Sequence, residues 1–146
     1  MNPESVGFFL QIETDPTDWG VNGTPDALAA QLEQAAGPVA VAVWNPLPGQ
    51  LLVSPRAAFA WLGAPGGSHP TDLPEDATSV IYLPSLSPAT PTSGYALDPS
   101  ETLAGLQDQI AAAMANEERI IVKLVDGQLV LNGATLAFVV LGQVPA

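Results

Sequence analysis

The sequence predicts an α+β protein made of duplicated strand-helix-three-strand modules, mostly antiparallel sheet with two helices, arranged about a pseudo-twofold. Three observations lead there. Two amphipathic helical stretches are each followed by three short β-rich runs. Segments of the two halves match in the order of those elements. At 146 residues the chain is long enough to close a core without metal or disulfide. Gly49-Gln50-Leu51-Leu52-Val53 returns as Gly127-Gln128-Leu129-Val130-Leu131, and Ala58-Phe59-Ala60-Trp61-Leu62-Gly63 as Ala137-Phe138-Val139-Val140-Leu141-Gly142. Upstream, Leu28-Ala29-Ala30 lies over Leu103-Ala104-Gly105 and Ser5-Val6 over Ser79-Val80. A single module, one small sheet with one helix, cannot cover both of its faces, so two copies sharing one interior are the natural closure. The modules span 1–66 and 78–146, with 67–77 as linker, in one compact unit.

The elements follow from local signals. Val6 to Ile12 is an apolar run closed by the turn formers Asp15-Pro16, hence a first strand. A loop with Trp19, Gly20 and Gly23 leads to Thr24-Pro25, a cap residue followed by proline in the first helical turn; Leu28, Leu32 and Ala35 keep helical spacing until Gly37-Pro38. The triplet Asn22-Gly23-Thr24 matches a glycosylation acceptor, but it is more simply the turn into that cap. Val39 to Trp44, Gln50 to Val53 and Ala57 to Leu62 read as three strands. The Gly/Pro-rich stretch 63–77 has almost no apolar periodicity and reads as linker or surface loop. The pattern then restarts. Ser79 to Leu83 is a strand, and a Pro/Ser/Thr loop from Pro84 runs into a short strand at Tyr95 to Leu97. Ser100 is placed as the cap of a helix with Leu103, Leu106, Ile110 and Ala113 on one stripe. Strands at Arg119 to Val125, Gln128 to Leu131 and Leu136 to Leu141 complete the set, separated by turns at Asp126-Gly127 and Asn132-Gly133. In the first of these Lys123 stands between Val122 and Leu124, and alternation turns it to solvent.

Strand, helix and three strands, twice over, resemble in element order the vicinal oxygen chelate superfamily of metal-dependent lyases, dioxygenases and resistance proteins. The resemblance implies His and Glu ligands on inner strands. The strands here hold no histidine and few acids beyond Glu13 and Glu118, and the long strand-to-helix loops depart from that family's compact modules. No site residue is therefore carried over.

No catalytic constellation emerges from the residues themselves. His69 is the single histidine, so any Ser-His-Asp or metal chemistry must pass through it. With Asp72, Glu75 and Asp76 it is a candidate metal cluster, against the simpler reading of a solvated acidic linker. Asp15 and Asp18, near Glu13 and Asn22, offer hard oxygen ligands for calcium, but their spacing is not that of an EF-hand and such residues commonly form turns. There is no Walker loop, no dinucleotide fingerprint and no zinc pattern, so no cofactor is expected. Trp19, Trp44 and Trp61 are read as core or interface packing, since a nucleic-acid stacking platform needs accompanying cations.

Composition turns the expectation towards protein partners. Hydrophobic residues make up 47% and charged residues 12% of the chain, about half the charge of an ordinary domain. Such a surface is commonly covered by another subunit. The three cations, Arg56, Arg119 and Lys123, face fifteen carboxylates for a net charge of −12, which repels nucleic acid and anionic lipid. With no cysteine, thiol chemistry is excluded. No apolar stretch approaches a membrane span and Met1-Asn2-Pro3-Glu4 lacks the positive start of a secretory signal, so the cytoplasm, or an assembly made there, is expected. The expected function is a non-catalytic structural or protein-binding module that self-associates or docks on a larger assembly, for example a virion or shell component. The alternative is a small-ligand binder or metal-dependent enzyme with a site between the modules.

Overall fold

The structure, a computed structural model, describes residues 6–12, 19–43, 49–63, 73, 75–84, 92–125 and 127–143. Its elements run β1 (Val6–Ile12), β2 (Trp19–Asn22), α1 (Pro25–Gln34), β3 (Val39–Val43), β4 (Gly49–Val53), β5 (Phe59–Gly63), β6 (Ser79–Pro84), β7 (Thr92–Ala96), α2 (Leu103–Asn116), β8 (Arg119–Leu124), β9 (Gly127–Asn132) and β10 (Val140–Gln143). Two helices with antiparallel sheets make the fold α+β. No helix among the described residues is long and apolar enough to cross a membrane.

Seven strands form one sheet in the order β4-β3-β2-β1-β5-β9-β8, and three form another in the order β10-β6-β7. The two sheets meet at the antiparallel bridge Leu97↔Leu124. Asp98 N–H donates to the Lys123 carbonyl at 3.1 Å and Val125 N–H to that of Ala96 at 3.1 Å, so the bridge is held on both sides.

Strand alternation then divides the interior in two. In β5 every residue is buried, as expected of a strand covered on both faces. Phe59 and Trp61 enter one cluster with Ile81, Leu83, Tyr95 and the α2 residues Leu106 and Ile110. Ala60 and Leu62 turn the other way, joining Val21, Val41, Val43, Val53 and the α1 residues Leu28 and Leu32. β9 follows suit, with Leu129 and Leu131 in the first cluster and Val130 in the second. In β8, Val122 and Leu124 are buried and Lys123 is exposed, as alternation requires.

Some boundaries differ from the sequence reading, each for a local reason. A second strand precedes each helix: β2 lies in the region read as loop, and β7 starts at Thr92, ahead of Tyr95. Trp19-Gly20-Val21-Asn22 has no strand signal of its own; its ladder comes from β1, through pairs such as Phe9↔Gly20. These extra strands also break the strand-helix-three-strand order on which the likeness to the vicinal oxygen chelate enzymes rested. Ser100 is not the cap of α2. Its N–H and hydroxyl both bind the Asp98 carboxylate, at 2.9 and 2.7 Å, and the helix starts later, capped by Thr102, whose Oγ1 accepts from Gly105 N–H at 3.2 Å. The cap of α1 is Thr24 as read, accepting from Ala27 N–H at 3.3 Å. Gly23 before it has φ +125, a conformation that needs glycine. The last strand begins at Val140 rather than Leu136. After the turn at 133–135, Leu136 drops into the core and its N–H is taken by the Asn132 carbonyl at 2.9 Å.

Candidate functional site

Two places in the fold gather side chains in a way that invites a functional reading: the seam where β5 meets β9, and the outer edges of the two sheets.

At the seam, Phe59 pairs with Leu131, Trp61 with Leu129 and Gly63 with Gly127. Gly127 permits this approach, since a Cβ there would collide with the Leu62 carbonyl oxygen. Asn132 is the one buried polar residue in the described core. Its Nδ2 donates to the Pro55 carbonyl at 2.9 Å, its Oδ1 accepts from Ala134 N–H at 3.0 Å, and its backbone N–H donates to Ala58 at 2.8 Å. Arg119 lies directly opposite Asn132 in the β8·β9 ladder, and its Nη2 reaches the same Pro55 carbonyl at 2.6 Å. One backbone oxygen in the turn after β4 thus takes two donors from the C-terminal strands. A cleft opens beside them, lined by Leu32, Val39, Phe59, Val130, Arg119 and Asn132 among others, and its enclosed interior has room for about one water. That is a packing gap at the seam, far below the size of a substrate pocket.

At the edges the chemistry is different. β4 ends the seven-stranded sheet and β10 ends the three-stranded one. Neither Gly49-Gln50-Leu51-Leu52-Val53 nor Val140-Leu141-Gly142-Gln143 contains a charged residue. Edge strands are ordinarily blunted by lysine, proline or an inward charge. Among the described residues the exposed large apolar side chains are Leu52, Val125, Phe138 and Val140. Three of them sit on, or just before, these two strands.

The residues singled out from the sequence are dispersed. Asp15, Asp18, His69, Asp72 and Trp44 lie outside the described residues. Glu75 and Asp76 are exposed in a turn. No group of three or more His, Cys, Asp or Glu gathers among the described residues. Trp19 stands in β2 opposite Leu10. Trp61 is buried in the first cluster, so within one chain it is a core residue. Asn132 and Arg119 were not anticipated as partners: an asparagine read in a turn and a strand arginine carry no sequence mark of a shared acceptor 77 and 64 residues away, respectively.

Comparison with protein-family models, with curated proteins and with solved structures finds no match to this chain.

Proposed function

We propose that the protein is a non-catalytic structural module that associates with copies of itself, as a subunit of a shell or similar assembly does, and that it is built from two copies of one unit. The single observation that carries the reading is the placement of exposed apolar side chains on charge-free end strands. In a chain of net charge −12, the two edges without ionisable groups are where another copy meets least repulsion. The seam cleft, lined by Arg119 and Asn132 among others, has enclosed room for about one water, which lends no support to a ligand at that place.

The paired-unit reading is supported by ladder registers. β1 pairs with β2 and β5, as β6 pairs with β7 and β10. β3 pairs with β4 as β8 does with β9. Val21↔Val43 joins β2 to β3, and Leu97↔Leu124 joins the end of β7 to β8 at the matching position.

Size-exclusion chromatography with light scattering over a range of concentrations tests the function. A mass at least twice the 15.0 kDa of one chain is expected. A strict monomer at high concentration overturns it.

A further inference from the structure

Within one chain, the last strand of the first half already docks on the second half. β5 pairs with β9 and sends Phe59, 2% exposed, and Trp61, 1% exposed, into the interior formed by β6 to β9 and α2. Val130, facing the opposite side of the same ladder, is 4% exposed.

The second half has the same strand with no such partner among the described residues. By the sequence match Phe138 and Val140 stand where Phe59 and Trp61 stand, and Leu52 of β4 stands where Val130 does. These three are 42%, 50% and 69% exposed. Their neighbours behave as the comparison requires: Val139 and Leu141 pack against their own half's cluster, as Ala60 and Leu62 do against theirs. The side chains left outside are therefore the counterparts of those that, at the seam, are covered by the half across the β5·β9 pairing.

We infer that β10 of one copy pairs antiparallel with β4 of a second copy, in the register that β5 and β9 use within the chain. Phe138 then faces Val53, Val139 faces Leu52 and Val140 faces Leu51. The inference rests on the self-association reading above and adds to it the partner surface and its register. The occupant is a second copy because the seam is a working example of this contact and because β10 and β4 of one chain end separate sheets with their apolar residues uncovered. Neither strand brings a charge to the contact, so pairing leaves no ion desolvated.

The absence of cysteine makes the register directly testable. Chains carrying Leu52→Cys are mixed with chains carrying Val139→Cys under mild oxidation. A disulfide-linked heterodimer is expected, forming roughly tenfold faster than with Ala134→Cys, on an exposed turn, in place of Val139→Cys. In parallel, Val140→Asp is expected to bring the mass down to a monomer with an unchanged circular dichroism spectrum, while Val125→Asp, exposed in the turn after β8 and on neither β4 nor β10, leaves it associated. If the native chain associates but neither Val140→Asp nor the cross-link responds, this pairing is wrong and self-association stands on another surface. If the native chain is a monomer, both readings fall. An internal disulfide in a monomeric chain carrying both Leu52→Cys and Val139→Cys would assign β10 to its own β4 and overturn the inference.

Discussion

The Pro55 carbonyl oxygen accepts from both Arg119 and Asn132, so neither donor is individually indispensable to it. Asn132→Ala removes a buried amide but leaves Arg119 in place and frees a part-buried Ala134 N–H, so a loss of about 1–2 kcal/mol is expected. With Arg119→Ala added, the acceptor loses both donors, and the double variant is expected to fall below the sum of the singles. Urea denaturation of the four proteins measures this; strict additivity would show that the shared oxygen does not couple them. A second residue-scale expectation concerns Asp98. The N–H of Ser100, then its hydroxyl, hold the Asp98 carboxylate and lower its pKa from the ordinary 3.8. A lowered folded value means that the turn's contribution to stability is fully present above 3.8 and is lost as the pH falls through the folded value beneath it. Carbon-detected NMR titration should give a midpoint below 3.8. A midpoint at or above it would show that the turn opens in solution.

At the scale of elements, what could be read in the sequence and what could not separate by where the information resides. Both helices are announced by leucines at three- and four-residue spacing, and α1 also by its Thr24 cap, signals internal to about ten residues. β5 and β9 are announced by β-rich runs. β2 is not, because four residues containing glycine have no alternation to detect; β1 on one side and β3 on the other make them a strand. Ser100 misleads for a related reason. It is a good cap by type, but Asp98 two residues earlier captures its hydroxyl, and Thr102 takes the role instead. β10 is shortened from Leu136 because that leucine packs into the core after the turn, its N–H taken by the Asn132 carbonyl. The seam, by contrast, is a pairing between halves. Its register depends on Gly127 approaching the Leu62 carbonyl, and spacing along the chain holds no record of that contact. The candidate edges were legible only as composition, a shortage of charge, until the sheet order showed which strands stand last.

For the whole molecule, the proposed self-association sets a net charge of −12, which pushes copies apart, against apolar end strands, which on that proposal draw them together. The two respond oppositely to salt. Repulsion between the chains is screened as the Debye length falls from about 10 Å at 0.1 M to about 3 Å at 1 M, whereas burial of Leu52, Phe138 and Val140 needs no charge. Only three cations exist to form attractive pairs; one of them, Arg119, is already engaged by Pro55. Raising sodium chloride from about 0.05 to about 0.5 M should therefore tighten association several-fold. Sodium chloride is the right titrant because sulfate would strengthen apolar burial by itself. Sedimentation equilibrium at the two concentrations measures the shift. Weakening with salt would mean that ion pairs hold the copies together, and because β4 and β10 contain no charge to form them, the contact would have to lie elsewhere on the surface.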